Sequence, residues 1–397
     1  MSAGAHRRAL ARGSRLWMAV AVLVAALGLG ACGSNLGSDE EGEDTEVQVA
    51  EAGPAEGEFT MSTGPLYIDK GKGGVDGPGG TIAEFEEKTG IDVNYLEDIN
   101  SNESFFAKLR PELENGESGG RDIIIATDWM AKRYHDLGYA QDFDKSAIPN
   151  VEENLLPSLQ NPDFDPDRSF TAPWQSGLTG LVVRKDLAPD ITSINDLFDP
   201  KYKGKVTILA ELRDTVPLMM MAEGIDPHTA TKEQWLETIQ KLEDAIDSGQ
   251  IRDVTGNDYI DDLPRGDIAA AIGWSGDAAA LKLDNPDIDF VMPDEGCVIW
   301  SDDMIIPVGA PNPGAAYEFM DYVYDPENAA QIAAYVYYTT PVEGVREVYE
   351  RQGDKALANN DLIFPSEEFT QNCVTQPSLD PADEPEIEEA WGRLVSG

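Results

Sequence analysis

The chain has 397 residues, with 29 Lys and Arg against 74 Asp and Glu, for a formal net charge of −45. A surface this acidic repels a phosphate backbone and argues against nucleic-acid binding. It also disfavours anionic membrane surfaces and draws small cations in. High acidity equally keeps a protein soluble, so charge alone does not name a ligand.

Arg7, Arg8, Arg12 and Arg15 open the chain, a nearly continuous apolar run covers residues 16–28, and Leu29-Gly30-Ala31-Cys32 closes it. A basic leader, a short apolar stretch and small residues at the cut describe a secretory signal. The run is shorter than the roughly 20 apolar residues a membrane-spanning helix needs. A Cys directly after the small residues resembles the bacterial lipoprotein signal. That resemblance implies a signal peptide over residues 1–31, a lipid on Cys32, and a place on the outer face of the cytoplasmic membrane. An ordinary secretion signal with an incidental Cys is the alternative. Asp39, Glu40, Glu41, Glu43, Asp44 and Glu46 follow within eight positions. Such a segment buries too little apolar surface to offset its ordering entropy, so residues 32–58 read as a disordered acidic stalk. An acidic interaction arm is the alternative.

About 340 residues follow the stalk, a length that suggests two domains or two lobes of one fold. Short β-rich runs predict strands at Pro65–Ile68, Asp92–Tyr95, Asp122–Ala126, Gly180–Val183, Lys205–Leu209, Ile268–Ile272, Phe290–Met292 and Met304–Pro307. Helical patterns fall between them. Ile82–Thr89 stops at Gly90, Ser104–Glu114 follows, and Asp128–Leu137 stops at Gly138. Lys232–Asp247 is long and amphipathic, with Trp235, Ile239, Leu242 and Ile246 on one face. Ala315–Tyr324 and Glu327–Tyr335 complete the series. Alternation of this kind predicts an α/β fold with mostly parallel sheets. With Cys32 assigned to lipid, Cys297 and Cys373 remain. Two leftover cysteines in an exported chain point to a disulfide, two buried thiols being the alternative.

Several apparent motifs dissolve on inspection. Gly116-Glu117-Ser118-Gly119-Gly120 matches a nucleophile elbow in letters, but a polar run precedes it and a strand follows it, the reverse of what the elbow needs. His135 and His228 lack zinc-ligand spacing and read as surface histidines. Gly71-Lys72-Gly73-Gly74 lacks the Walker spacing. Asp163-Phe164-Asp165-Pro166-Asp167 lacks the Gly and the closing Glu of a calcium loop and reads as an Asx turn. These readings predict no enzyme, no metal and no cofactor.

Aromatic residues and acids instead cluster at the ends of predicted strands: Tyr67 with Asp69, Trp129 with Asp128, Glu211 with Asp214, Trp274, Trp300 with Asp302, and Tyr338. Ligands of open α/β sheets gather at strand C-terminal ends. Aromatic faces attract cations, and a buried ammonium needs carboxylate partners. Taken singly, each of these residues also suits plain core or plain surface.

Glu86-Glu87-Lys88-Thr89-Gly90-Ile91, Ser101-Asn102-Glu103, Lys201-Tyr202-Lys203-Gly204, Gly273-Trp274 and Trp300-Ser301-Asp302, in this order, resemble the polyamine-binding (spermidine/putrescine) solute-binding proteins of ABC importers. The resemblance covers roughly residues 64–375. It implies two α/β lobes of the periplasmic-binding-protein-like fold with a ligand cleft between them. Lobe one would hold 59–174 and 305–345, and lobe two 175–304 and 346–397, with crossings near Thr171–Gly180 and Trp300–Pro307. It further implies capture of a linear polyamine by hinge closure, and docking of the closed monomer on a membrane permease. The implied ligand set is Asp302 gripping an amine, Glu211 and Asp214 flanking Arg213, aromatic walls at Trp274, Trp300 and Tyr338, and contacts from Tyr67, Thr127, Trp129 and Gln371. One departure stands out. Gly64 occupies the place of the family's Trp, three residues before the Tyr, which fits a wider pocket, a different amine or compensation by Trp129. Another small solute, such as an amino-acid derivative or metal chelate, is the alternative ligand, and a surface sensor without transport the alternative role.

Overall fold

A computed structural model of the protein describes residues 49–75 and 77–396. Cys32, the signal peptide and most of the stalk lie outside the described residues. The strands are Val49–Ala50 (β1), Glu58–Thr63 (β2), Asp92–Glu97 (β3), Ile123–Thr127 (β4), Asp142–Phe143 (β5), Ala172–Arg184 (β6), Val206–Leu209 (β7), Ile251–Thr255 (β8), Ala270–Trp274 (β9), Ile288–Val291 (β10), Val298–Ile305 (β11) and Val374–Thr375 (β12). The α-helices are Thr81–Thr89 (α1), Asn102–Leu113 (α2), Asp128–Asp136 (α3), Pro149–Asn154 (α4), Leu212–Ala222 (α5), Lys232–Asp247 (α6), Tyr259–Arg265 (α7), Ser275–Asp284 (α8), Pro313–Val323 (α9), Pro326–Val336 (α10), Val345–Gln352 (α11), Lys355–Ala358 (α12) and Glu384–Ser396 (α13).

The main sheet has ten strands in the order β3-β2-β4-β11-β6-β9-β7-β8, with β10 added on β6 and β12 on β11. Its two ends are parallel: β2 pairs in parallel with β3 and β4, and β7 with β8 and β9. Between them run β6 and β11, antiparallel to each other and to their outer neighbours. These two strands pass from one hydrophobic core to another. Ala172, Trp174, Trp300 and Met304 belong to a first core with Phe59, Ile123 and Phe319, whereas Leu181, Val182 and Val298 belong to a second with Ile208, Leu212 and Ile272. A smaller cluster of Phe106, Met130, Tyr134 and Ile305 backs the first. Two cores joined by crossing strands make the two-lobe α/β fold, as the strand–helix alternation and the resemblance had implied.

The differences from the sequence reading have physical causes. Pro65–Ile68 is a turn, because Leu66 adopts a left-handed φ of 60° and breaks any strand there. The strand comes earlier, as β2, where Phe59 and Met61 point into the first core. Val49–Ala50, within the stretch read as stalk, pairs in parallel with Asp142–Phe143, and the Tyr317 hydroxyl donates to the Ala50 carbonyl at 2.8 Å. Residues beyond 345 do not all side with the second core. The apolar face of α11, Val345, Val348 and Tyr349, packs in the first, as do Ala358 and Ile363. Helix α13, through Ile387, Trp391 and Leu394, joins the second, with Val374 and Leu379 packed against it.

Candidate ligand-binding site

The local sequence at three strand ends builds the site. Strand β7 ends at Leu209, and Glu211 caps α5 with Asp214 in its first turn. Strand β9 ends at Trp274, which caps α8, with Asp277 in the first turn. Carboxylates favour such positions because helix N-termini carry partial positive charge. Strand β11 shifts register between Asp302 and Asp303. The irregularity separates two neighbouring acids: Asp303 pairs with Arg168 at 3.0 Å, away from the cavity, while Asp302 lines it. Irregularities of this kind re-aim side chains.

These ends surround a cavity of about 90 Å³, against the roughly 10–15 Å³ that one water takes on the same measure. Tyr67, Thr127, Glu211, Asp214, Trp274, Trp300, Asp302 and Tyr338 line it together, as does Gly64. Each carboxylate is fixed by donors. Tyr67 and Thr127 hydroxyls donate to the two oxygens of Asp302, both at 2.7 Å. The Trp274 indole and Gln376 amide donate to Asp214 at 3.2 and 2.9 Å. Tyr259 and Tyr338 hydroxyls donate to Asp277 at 2.6 and 3.0 Å. The Asn102 backbone N–H donates to Glu211 at 3.1 Å. Glu211, Asp214 and Asp277 are buried, and Asp302 keeps surface facing the cavity.

Among the described residues, no Lys, Arg or His lines this cavity. Burial pushes the Asp302 and Asp277 carboxyls up to about 6, the hydroxyl donors opposing that push without cancelling it. Burial, together with Glu103 and Asp214 nearby, holds Glu211 well above the usual carboxylate range. Burial also raises Asp214, against its bonds from Gln376 and Trp274. Four crowded acids without a cation form a site that gains from taking one up.

The aromatic walls are close-fitted. The ring centroids of Trp300 and Tyr338 are 5.0 Å apart, and those of Tyr67 and Tyr338 are 5.5 Å apart at 80°. Trp300 lies so near Gly177 that a Cβ there would sit 2.2 Å from its ring, which accounts for glycine in the middle of β6. Leu66 and Tyr337, each with a positive φ, immediately precede Tyr67 and Tyr338. Backbone strain thus sits beside the two tyrosines that hold Asp302 and Asp277.

Two of the residues singled out by resemblance are elsewhere. Trp129 lies under the Arg213 guanidinium, 3.9 Å from its ring centroid, and does not line the cavity. It therefore does not compensate for the missing Trp at Gly64, where an added Cβ would meet nothing nearer than the Ile99 carbonyl at 3.8 Å. Gln371 is exposed, and Gln376, carried inward by β12, takes the cavity position. Asp277 and Asn257 also line the cavity without being singled out from sequence, and Asn102 enters the sequence reading only as part of the Ser101-Asn102-Glu103 motif, not as a ligand contact. Asp277 was findable: it repeats the strand end, cap and acid pattern of Glu211–Asp214. Cys297 and Cys373 form a disulfide. His135 stacks on Phe170, away from the site, and no metal-holding group of side chains occurs among the described residues.

Fold and cavity together define a cleft-type ligand-binding protein of the periplasmic-binding-protein class. The chain belongs to the family of bacterial extracellular solute-binding proteins, which residues 80–360 match. It is 26% identical over 324 residues to the spermidine/putrescine-binding periplasmic protein of Escherichia coli K12, covering 81% of this chain and 89% of that protein. It is likewise 26% identical over 342 residues to the same organism's putrescine-binding periplasmic protein, covering 80% and 88%. Among solved structures, a putative spermidine/putrescine ABC transporter from Listeria monocytogenes superposes with a TM-score of 0.72 at 26% identity, covering 85% of this chain and 98% of that one. The first two of these relatives are periplasmic binding proteins and the third a putative ABC transporter. No described helix is long and apolar enough to cross a membrane.

Proposed function

We propose that this protein captures a linear polyamine of the putrescine or spermidine kind outside the cytoplasm and presents it to an ABC permease. The observation that carries this reading is the set of four carboxylates in one aromatic-walled cavity, with no cationic side chain among the described residues that line it. Ammonium groups would satisfy the acids, and indole and phenol rings would cover the methylenes between them. An anion would meet only like charge.

Closure is a hinge motion about β6 and β11, with one lobe built on the first core and the other on the second. The protein binds without catalysis and acts as a monomer. Lipid on Cys32, with the residues before Thr45 as leader and tether, would keep it at the outer face of the membrane. Calorimetry with putrescine, spermidine, amino acids and phosphate tests the ligand class. Heat with the amines alone is expected. Binding of an anion or amino acid in their place would overturn the assignment.

A further inference from the structure

One charged cluster outside the cavity joins the two bodies of the fold. Trp129 and Arg133 lie on α3, whose neighbouring residues Met130, Ala131 and Tyr134 pack with Ile124, Ala126 and Ile305 on the first body. Arg213 lies on α5, and Glu384 and Glu388 on α13, two helices rooted in the second core through Leu212, Val216, Ile387 and Trp391. The Arg133 guanidinium donates to Glu388 at 2.7 Å and lies 3.1 Å from Glu384. Arg213 pairs with the same two glutamates. Both guanidiniums also sit against the Trp129 ring, at 3.9 Å for Arg213 and 5.1 Å for Arg133.

These contacts fall into two sets. Arg213 with Glu384 and Glu388 stays within the second body whether the cleft is open or shut. Arg133 with those glutamates, and Trp129 on Arg213, exist only when the bodies meet. A contact biases a two-state equilibrium only by the difference it makes between the states, so only the second set counts. Its surroundings give it weight. The Arg213 side chain is 2% exposed, and those of Arg133, Glu384 and Glu388 lie between 22% and 28%. Desolvation of this degree separates the cluster from exposed pairs of little worth. Separation would also leave two glutamates facing a single arginine.

We infer that Arg133, clasped by Glu384 and Glu388 with Trp129 on Arg213, is an interlobe latch that holds the cleft closed and slows ligand release. The inference rests on reading the cavity as a cleft closed by hinge motion. No residue of the latch lines the cavity, so its variants leave the ligand's own partners in place.

The test uses the whole exported domain and Arg133→Gln, with Arg133→Lys as the conservative control. For Arg133→Gln, stopped-flow release of putrescine or spermidine should be about tenfold faster, the cost of one lost charged hydrogen bond. Association should change little, and the melting temperature should stay near that of the parent. Arg133→Lys should recover part of the loss. Raising salt should speed release from the parent and much less from Arg133→Gln. Small-angle scattering without ligand should show a larger radius of gyration for Arg133→Gln. Parent-like release and parent-like ligand-free dimensions in Arg133→Gln would overturn the latch. If neither amine binds, the ligand reading fails, and the ligand-free scattering alone judges the latch.

Discussion

Asp302 is where the electrostatics of the cavity concentrate. It accepts from two hydroxyls, faces the open volume, and carries a carboxyl pushed up to about 6 by burial. A buried ammonium that loses its carboxylate partner costs roughly 3–5 kcal/mol, so Asp302→Asn should weaken polyamine binding by that amount. Trp300→Ala removes packing and a cation–π face only, and should cost about 1–3 kcal/mol. Calorimetric affinities rank the two, and near-parental binding by Asp302→Asn would remove this acid from the ligand's partners. The pH dependence has a definite sign. The folded carboxyls of Asp302 and Asp277, near 6, lie above the usual carboxylate value of 3.8. Between these values these two groups bind more protons in the ligand-free fold than in the unfolded chain, so their contribution to stability falls as pH rises from about 4 to about 6. A cationic ligand favours the ionised acids and reverses that penalty. Binding should therefore weaken below pH 6 and should release protons from the cavity acids near pH 6. Titrations in buffers of different ionisation enthalpy read this release directly, and an affinity constant from pH 7.5 to 5 would exclude both groups from ligand contact.

At the scale of elements, what the chain discloses depends on how local the cause is. Apolar runs such as Ile123–Thr127 and Val206–Leu209 announce buried parallel strands within a residue of their ends, because their burial leaves no polar face to confuse the pattern. The amphipathic α6 is equally plain over Lys232–Asp247; its Thr231–Gln234 capping box comes from the structure. Helix α5 is harder to read because Pro217 lies inside it, and β12 because two residues carry no periodicity. Asp302 and Trp300 could be placed through neighbouring motifs, whereas Gln376 could not, since its position depends on pairing between segments far apart in the chain. That pairing yields a prediction. Val374 N–H donates to the Cys297 carbonyl and Gln376 N–H to that of Ile299, beside the Cys297–Cys373 disulfide. The bridge closes a 76-residue separation, for which chain entropy gives on the order of 4 kcal/mol. Replacing both cysteines by Ser should lower the melting temperature and also weaken polyamine binding, because the Gln376 bond to Asp214 depends on this segment staying docked. Gln376→Ala should reproduce the loss of affinity without the loss of stability, and Gln371→Ala should do neither. Peptide mapping without reduction checks the bridge itself: recovery of both cysteines as free thiols would remove the basis for the effect.

At the scale of the whole molecule, two cores share one continuous sheet, and β6 and β11 run through both. Turning of the bodies about these two strands, as proposed, would leave the parallel β2–β3–β4 and β7–β8–β9 ladders intact, since those ladders lie on either side of the pair in the sheet order. The edges of the cleft already touch: Asn102 on the first body donates to Glu211 on the second, and the Asn257 N–H reaches the Asn100 side chain at 3.4 Å. Closure therefore carries a penalty, because it brings Asp302, held by Tyr67 and Thr127, up to Glu211, Asp214 and Asp277 of the second body with no cation among them. Closure is favoured by edge contacts and opposed by that crowding, and a polyamine relieves the opposing contribution alone. Ligand should consequently stabilise the fold by mass action, with no ceiling set by the edge contacts. At free ligand one hundred times its dissociation constant the gain is about 2.7 kcal/mol. Over the described residues 49–75 and 77–396, this corresponds to a rise in melting temperature of about 4 °C. The rise should continue logarithmically with ligand concentration, and it should shrink as pH falls below 6 and the acids neutralise themselves with protons instead. Thermal denaturation over a spermidine series at pH 7.5 and pH 5 measures both slopes. Equal shifts at the two pH values would mean that the amine is held by something other than this set of carboxylates, and a shift with phosphate in place of the amine would mean that the cavity is read with the wrong sign.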